Sequence, residues 1–289
     1  MSAQINRTVL MSGADFFGDQ EAINPYMHKG APIDVARAQS EHDAIRNALE
    51  NAGVTIIKVN PPEECQDGVY TANWALVRGD KAVMATLPNA RKGEELYAEQ
   101  VLRVQGKTIF KVPNDVHFSG QGDALPCGKY LLAGTGYRTE APAHQFIADT
   151  LGYEVISLRT IPERDWLRRP VINKDSGWPD SFFYDIDLAI SVLTPTLIAW
   201  CPKAFTKESQ EKIRALTDLD KIEVSFEEAK KAFACNLVST GETVVMSSTA
   251  PALKAAIESK GLRVVTPVIT ELAKGGGYIR CTTLTLDND

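Results

Sequence analysis

The stretch NWALVRGDKAVMA, residues 73–85, begins with a small polar residue, continues as an apolar strand, turns at Gly-Asp and returns as a second apolar strand. Two apolar runs separated by a short Gly-containing turn are typical of a β-hairpin. A helical segment, EELYAEQVLRV (94–104), and a β-branched strand, KTIFKV (107–112), come next. This order predicts one ββαβ unit.

The same order recurs three times further along the chain. The hairpins are GDALPCGKYLLAG (122–134), DIDLAISVLTPTLIAW (185–200) and CNLVSTGETVVMS (235–247), which turn at C-G, T-P and T-G. The helical segments and strands that follow them are APAHQFIADTLG with EVISL, SQEKIRALT with KIEVSF, and APALKAAIESKG with LRVVTPV. A recurring order with similar turn chemistry predicts a repeat architecture.

A fifth copy is divided between the two ends of the chain. CTTLTL (281–286) supplies a first strand without a return strand of its own. The N-terminal strand NRTVLMSG (6–13), the helical segment at 33–53 and the strand VTIIKV (54–59) supply the missing parts. The sequence therefore predicts five ββαβ units closed into a ring by its ends. An ordinary α/β sheet with coincidentally similar spacing is the alternative.

Five residues occupy equivalent positions at the starts of the first strands. They are Asn73, Asp123, Asp187, Asn236 and Cys281, which lie 50, 64, 49 and 45 residues apart. Equivalent positions in a closed repeat predict that these residues gather near one axis. The longest interval contains DWLRRPVINKDSGWPD (165–180), whose Pro, Gly and Trp content predicts a surface loop.

Composition excludes several classes of function. The chain has 289 residues and a formal net charge of −6, without a Lys/Arg-rich face for nucleic acid. Its N-terminus lacks a signal-peptide layout, and no apolar run has membrane-spanning length. The five cysteines are scattered without a C-x-x-C pair, which fits neither a disulfide framework nor a zinc site. These features predict a soluble cytoplasmic protein with reduced thiols and no bound metal or cofactor.

Six short motifs occur in repeat order: YTANWALV (70–77), GQGDAL (120–125), GYRT (136–139), FYDID (183–187), FACNLV (233–238) and GGGYIRC (275–281). In these motifs the chain resembles the pentein superfamily, and most closely its bacterial amidinotransferase-like and dimethylarginine dimethylaminohydrolase-like hydrolases. The resemblance covers nearly the whole chain. It implies a five-bladed α/β propeller (pentein) with pseudo-fivefold ββαβ repeats, formed as a single domain over residues 1–289, with the site in its central channel.

The resemblance implies that a cysteine attacks the guanidinium carbon of an arginine-like substrate. An amine then leaves, and water hydrolyses the thiouronium intermediate. Cys281 matches the nucleophile, while a buried structural cysteine is the alternative reading. The three glycines before it predict a flexible approach to the last strand.

The same resemblance implies four substrate-binding residues. Asp187 and Asn73 match positions that hold the guanidinium, and Asp67 matches an upstream acid that contacts substrate. Arg138 matches the arginine that pairs with the substrate α-carboxylate. Asp67 could equally be a turn residue, and Arg138 a solvated loop residue. Asp123 is expected to brace the channel through backbone contacts.

Two residues depart from the pattern of similar sequences. Asp185 stands where they have the general acid/base histidine, and Ser119 stands where they have glutamate. An aspartate ordinarily titrates near 4 and a histidine near 6.5, so an aspartate protonates a leaving amine less readily at neutral pH. Burial beside Asp187 would favour the protonated form. His28 or His117 could compensate, although a surface role is the plainer expectation for both.

The sequence thus predicts an enzyme of arginine metabolism: a hydrolase of C–N bonds in a guanidino substrate, with Cys281 as nucleophile and Asp185 as altered acid/base. An amidinotransferase and a catalytically altered or inactive pentein are the alternatives, because the usual histidine is absent. The expected partner is a small guanidino compound, with neither nucleic acid nor a membrane involved, and a homo-oligomer is left open.

Overall fold

The computed structural model describes residues 4–28 and 32–288. In this part of the chain fifteen strands form five sheets of three strands each. The strands are β1 (Thr8–Met11), β2 (Thr55–Lys58), β3 (Ala75–Arg78), β4 (Lys81–Met84), β5 (Thr108–Lys111), β6 (Ala124–Cys127), β7 (Tyr130–Gly134), β8 (Glu154–Leu158), β9 (Ile190–Thr194), β10 (Leu197–Trp200), β11 (Asp220–Glu223), β12 (Val238–Ser239), β13 (Thr243–Val245), β14 (Arg263–Val265) and β15 (Leu284–Thr285). The helices are α1 (Val35–Asn51), α2 (Lys92–Val104), α3 (Ala141–Leu151), α4 (Lys207–Ala215), α5 (Phe226–Ala232) and α6 (Pro251–Ser259).

Four sheets repeat the predicted order of hairpin, helix and third strand. In each, the central strand pairs antiparallel with the strand before it and parallel with the strand after it. The hairpins β3–β4 and β6–β7 turn in two residues, with Gly79 at φ 55° and Gly128 at φ 57°. Two-residue hairpin turns need this left-handed backbone, which glycine adopts without strain. The glycines at these turns therefore set the hairpin register.

The fifth sheet joins the two ends of the described chain. β1 pairs antiparallel with β15, with Val9 opposite Thr285, and parallel with β2, with Val9 opposite Ile56. An ion pair of 2.8 Å between Arg7 and Asp287 lies beside this junction. The predicted division of the fifth unit between the chain ends is confirmed.

The helices bury their apolar stripes between neighbouring sheets. On α3, Ala143, Ile147 and Leu151 recur every four residues and pack in one apolar cluster with Leu76 and Val83 of the preceding hairpin. This spacing places the three side chains on one helix face. Helix α3 thus links its own sheet to the sheet before it.

The first strands of the sheets lie against one another. β6 contacts β9, β9 contacts β12, and β15 contacts β3. The five equivalent positions lie in turns just before these strands, and not at the strand starts as the sequence suggested. They are Asn73, Asp123, Asp187, Asn236 and Cys281. Three of these turns are short 3₁₀ segments, Thr71–Trp74, Gly120–Gly122 and Ile186–Leu188. All five positions are buried, so polar backbone and side chains meet where the sheets converge.

One helix was not expected from the sequence. The segment KIEVSF was predicted as one strand, but β11 ends at Glu223 and α5 begins at Phe226. The Ser225 side chain accepts a hydrogen bond from the backbone N–H of Glu228, which caps the new helix. A serine followed three residues later by glutamate is a helix-start signal, and here it overrides the β-branched run.

The insertion at 165–180 lies on the surface, as predicted. Isolated bridges pair Arg164 with Pro170 and Ile172 with Pro179, and the side chain of Trp166 is 87% exposed. The insertion also reaches the N-terminal loop, where Asn173 donates to the backbone carbonyl of Ala22 at 3.1 Å. Part of it therefore packs beside the segment that covers the central residues.

Candidate active site

Cys281 is held by a side-chain amide from the fourth repeat. Asn236 Nδ2 donates to the Cys281 Sγ at 3.1 Å, and Asn236 Oδ1 accepts from the Cys281 backbone N–H at 3.2 Å. The sulfur also lies 3.4 Å from Asp187 Oδ2, to which the thiol donates. Only 3% of Cys281 is exposed. Two equivalent positions of other repeats therefore fix the thiol in one place.

The protein surroundings of Cys281 favour a protonated thiol. Burial raises the pKa of Cys281 well above its ordinary value, and the neighbouring carboxylates Asp187 and Asp185 add to that effect. Hydrogen bonds from the Tyr278 backbone and from Asn236 act in the opposite direction on this pKa. A bound cation would lower the pKa of the thiol, because it would stabilise the thiolate.

Asp187 is fully buried, and only one of its two carboxylate oxygens has a hydrogen-bond partner among the described residues. Burial and the charge of Asp185 raise its pKa well above the ordinary value, while Arg280 and the hydrogen bonds of Cys281 and Asn236 oppose the rise. Its Oδ2 is bonded to the Cys281 thiol, whereas its Oδ1 has no hydrogen-bond partner among the described residues. A carboxylate in this position can take the proton of the thiol.

Asp185 lies in a different environment, although only one residue separates it from Asp187. Its Oδ2 accepts a hydrogen bond of 2.7 Å from Asn73 Nδ2 and lies 3.9 Å from Arg138 Nη1. Within the described chain, no hydrogen bond joins Asp185 to Cys281. A Cβ on Gly122 would lie 2.8 Å from the same Oδ2. Glycine at this place in the GQGD motif therefore lets the two repeats approach.

Asn73 connects the Asp185 carboxylate to a buried arginine, Arg91. Besides Asp185, its Nδ2 faces the carbonyl and hydroxyl oxygens of Ser119 at 2.9 and 3.0 Å. Its Oδ1 accepts from Arg91 Nη1 at 2.8 Å, and Arg91 forms a buried ion pair of 2.7 Å with Glu94. Sequence reasoning missed Arg91, because a single arginine before a helix has no pattern that separates it from a surface residue.

Arg138 and Asp67 are both buried, which argues against their alternative readings as solvated loop and turn residues. The Arg138 guanidinium lies 4.0 Å from the centre of the Tyr184 ring and donates to the Ile23 carbonyl at 3.1 Å. Burial raises the pKa of Asp67 to about 6, against the opposing effects of Arg91 and a hydrogen bond from Gln66. Both side chains therefore carry polar groups into a space shielded from water.

Four of the predicted side chains, Cys281, Asn73, Arg138 and Asp67, line one small cavity. The other lining residues are Ile23, Asn24, Tyr70, Arg91, Tyr184, Gly275 and Gly277. Its volume is about 10 Å³, which is about the space of one water molecule. Asp185 and Asp187 stand directly behind this lining, bonded to Asn73 and Cys281. We name this space the front cavity.

The glycine run beside Cys281 serves close packing. All three glycines are buried, and a Cβ on Gly275 or Gly277 would overlap the Tyr70 side chain. Gly276 has φ 83°, and its own Cβ would meet Asn24. The expected flexible approach is therefore wrong: these residues are glycine because aromatic and amide side chains press against their backbone.

The remaining predicted positions lie away from the front cavity. His28 is exposed, and His117 packs against Trp178 with ring centres 4.6 Å apart and the rings tilted by 51°. Neither lines the cavity, so neither compensates for the missing histidine there. The Asp123 carboxylate accepts from the backbone N–H of Ile186 at 3.0 Å, which confirms its bracing role.

Neither a metal centre nor a membrane-crossing helix is found in the described residues. Among residues 4–28 and 32–288, no group of three or more His, Cys, Asp or Glu side chains is placed to hold a metal ion. Over the same ranges, none of the helices combines the length and apolar character that a membrane crossing requires.

Comparison with known proteins gives consistent matches over almost the whole chain. A family model described as N,N dimethylarginine dimethylhydrolase, eukaryotic, matches residues 17–287. The dimethylarginine dimethylaminohydrolase of Mycobacterium tuberculosis is 33% identical over 280 residues, which cover 96% of this chain and 85% of that protein. The bifunctional arginine dihydrolase/ornithine cyclodeaminase AgrE of Nostoc is 32% identical over 95% of this chain, but the match spans only 37% of AgrE.

Solved structures give the same result. The N-terminal domain of ArgZ, a cyanobacterial arginine dihydrolase solved with its product, matches with a TM-score of 0.87 and 29% identity over 97% of each chain. A dimethylarginine dimethylaminohydrolase from Pseudomonas aeruginosa, solved with citrulline, has a TM-score of 0.73 at 20% identity and supports the fold alone. The mixed α/β fold is thus shared with these enzymes.

Proposed function

This chain belongs to the N,N-dimethylarginine dimethylhydrolase family, and on that premise we propose that it is a cysteine hydrolase of a C–N bond in a guanidino substrate. We further propose that its five sheets close into one pentein propeller domain. The observation that carries the proposal is the buried Cys281 thiol, hydrogen-bonded to Asn236 and Asp187 at the wall of the front cavity. The five cysteines are unpaired, which suits work in the cytoplasm.

An arginine-like substrate fits the charges around the front cavity. The front cavity, which has space for about one water, would have to widen to admit it. The guanidinium would then lie beside Asp67, with the carboxylates of Asp185 and Asp187 directly behind Asn73 and Cys281. Arg138 would take the α-carboxylate, because its guanidinium already lines the cavity and is held against the Tyr184 ring. The chain's similarity to an arginine dihydrolase and to dimethylarginine dimethylaminohydrolases supports this substrate class.

The reaction proceeds in two steps on Cys281. The cationic substrate lowers the pKa of the thiol, Asp187 accepts its proton, and the thiolate attacks the guanidinium carbon. The C–N bond to the leaving amine breaks, and Asp185 supplies the proton that this amine needs. A water molecule then adds to the thiouronium carbon and gives one proton to Asp185. The C–S bond breaks, Asp187 returns its proton to the thiolate, and a ureido product leaves, while the second proton of the water goes with the released amine, which departs as an ammonium ion.

The thiouronium intermediate also allows one alternative outcome. If it passed its amidino group to an amine and not to water, the enzyme would be an amidinotransferase. Mass spectrometry of the products separates the two, because hydrolysis yields a ureido compound and transfer yields a new guanidine.

The experiment that tests the proposal is the substitution Cys281→Ser. We expect hydrolysis of arginine and of methylated arginines to fall by at least about 1,000-fold, since a serine hydroxyl is a far weaker nucleophile than a thiolate. Cys65→Ser is the matched control, because Cys65 is a partly exposed cysteine that does not line the front cavity. Equal activity of Cys281→Ser and the control would refute the mechanism.

A further inference from the structure

A second, larger cavity lies between β6, β9 and the two ends of the described chain, and we name it the rear cavity. It has a volume of about 200 Å³, and its lining includes apolar side chains, such as Leu237, and polar ones, such as Asn6 and Ser191. Cys281 does not line this cavity, whereas the preceding residue, Arg280, lines it. The rear cavity is therefore separate from the space that we assign to the guanidino substrate.

Arg280 differs from the other buried arginines of the described chain because it has no carboxylate partner. Arg91 forms an ion pair of 2.7 Å with Glu94, and Arg138 lies 3.9 Å from Asp185. Within residues 4–28 and 32–288 no carboxylate forms an ion pair with Arg280, although only 5% of this arginine is exposed. An arginine stays protonated even in a protein interior. Arg280 therefore carries a buried positive charge that no carboxylate contacts.

The hydrogen bonds of the Arg280 guanidinium all lead to neutral side chains. Its Nη2 donates to Gln121 Oε1 at 2.9 Å, and its Nη1 donates to Thr285 Oγ1 at 3.0 Å and to Thr283 Oγ1 at 3.4 Å. Its Nε donates to no residue in the described part of the chain. Neutral oxygens hold the guanidinium in place but do not balance its charge, and an unbalanced buried charge is costly.

Two carboxylates also line the rear cavity, and neither pairs with Arg280. Asp287 forms an ion pair of 2.8 Å with Arg7 through Oδ2, and its Oδ1 accepts from a backbone N–H of β1 at 3.0 Å. Asp187 is fully enclosed and bonded to the Cys281 thiol. Burial raises the pKa of Asp187 well above its ordinary value, which favours the uncharged acid. Arg280 is therefore the charged group of this lining that lacks a partner of opposite sign.

We propose that the rear cavity binds a small carboxylate anion, with its carboxylate group at the Arg280 guanidinium. A carboxylate brings the negative charge that Arg280 lacks, and its two coplanar oxygens match the planar N–H donors of a guanidinium. The cavity also limits the size of the ligand. Pockets for drug-sized ligands usually measure about 300–1,000 Å³, so a cavity of about 200 Å³ suits an anion of only a few carbon atoms.

Binding is tested on the unmodified protein with isobutyrate and its neutral counterpart isobutyramide, by isothermal titration calorimetry at pH 7 in a buffer without other carboxylates. We expect isobutyrate to bind about 10- to 100-fold more tightly, because hydrogen bonds between charged partners are stronger than those to a neutral amide. Equal binding of the two compounds, or no binding of isobutyrate at millimolar concentrations, overturns the proposal.

The place of Arg280 in binding is tested by the substitution Arg280→Gln, which removes the charge and keeps a polar side chain. It should weaken isobutyrate binding at least about 10-fold. Arg138→Gln is the matched control, because Arg138 is equally buried but lines the front cavity and not the rear one. The control should keep the wild-type affinity. Retained binding in Arg280→Gln, or an equal loss in Arg138→Gln, overturns the assignment.

A second pair of variants tests the location without a change at Arg280, in case Arg280→Gln does not fold. Val192 lines the rear cavity, so Val192→Trp places a large ring there and should weaken isobutyrate binding at least about 10-fold. Val104→Trp is the matched control, because Val104 is 82% exposed and lies outside the rear cavity. Thermal denaturation verifies that the variants fold. Unchanged affinity in a folded Val192→Trp protein overturns the assignment.

None of these binding measurements requires turnover, so their results are independent of whether the protein hydrolyses guanidines.

Discussion

The front cavity and the larger rear cavity differ in size and in how closely their surroundings are tied together. The front cavity is about 10 Å³, and the side chains around it are paired, Arg91 with Glu94 and Arg138 with Asp185. The rear cavity is about 200 Å³, and both apolar and polar side chains line it, among them Leu237, Val192 and Arg280. The tight network around the front cavity suits orientation of a reacting group.

Asp187 is bonded to the Cys281 thiol at the wall of the front cavity, so its removal should have the largest effect. Asp187→Asn keeps the shape of the side chain but cannot accept the thiol proton. We expect kcat to fall by about 1,000- to 10,000-fold, within the upper range for loss of a general base. Steady-state kinetics on the purified variant measure this loss. A variant with normal kcat would show that another group takes the proton.

Asp185 is bonded to Asn73 and not to Cys281, which makes it the contrasting substitution. Asp185→Asn removes the proposed proton donor for the leaving amine, and we expect kcat to fall by about 100- to 1,000-fold. Asp185→His should recover part of the loss near neutral pH, since histidine titrates near 6.5. Full activity of Asp185→Asn would remove this residue from the mechanism.

Asp67 gives a smaller, purely thermodynamic test of the front cavity. Its pKa is raised by burial to about 6 in the folded protein, against about 3.9 in an unfolded chain. The folded protein therefore retains a proton that the unfolded chain releases between pH 4 and 6. Stability from this group is complete below pH 4 and is lost as the pH rises through 6, by about 2–3 kcal/mol.

The Asp67→Asn variant removes that titration. Urea denaturation from pH 3.5 to 7.5 should show the free energy of unfolding of the wild type falling relative to the variant across this window. A constant difference over the whole range would mean that Asp67 is not held in a low-dielectric site. An increase of wild-type stability with pH, relative to the variant, would mean that folding lowers the pKa of Asp67 and does not raise it.

Much of the fold could be predicted because it repeats. The same hairpin and helix signals recur in every unit, and the two incomplete ends complement each other, which is enough to predict that β15 pairs with β1. Cys281, Asn73, Arg138 and Asp67 could be found from motifs and do line one cavity. The start of α5 was missed, although the Ser225 cap is visible in the sequence.

The connections between repeats could not be predicted. The Asp187–Cys281 contact joins residues 94 positions apart, and which carboxylate reaches the sulfur depends on the backbone geometry of a 3₁₀ turn. Arg91 is held by Glu94 and Asn73, and these three residues form no charge pattern that a sequence alone would reveal. The rear cavity is space between strands of different repeats, and empty space leaves no residue signature.

In the proposed mechanism Cys281 is a thiol adapted to a planar cationic carbon group. Two reagents probe this property: 2-chloroacetamidine, which is cationic, and 2-chloroacetamide, its neutral counterpart, each followed by peptide mass spectrometry at pH 7. We expect the amidine to label Cys281 alone, at least about 100-fold faster than the amide, and arginine to slow the labelling. Equal rates for the two reagents, or labelling spread over the five cysteines, would contradict it.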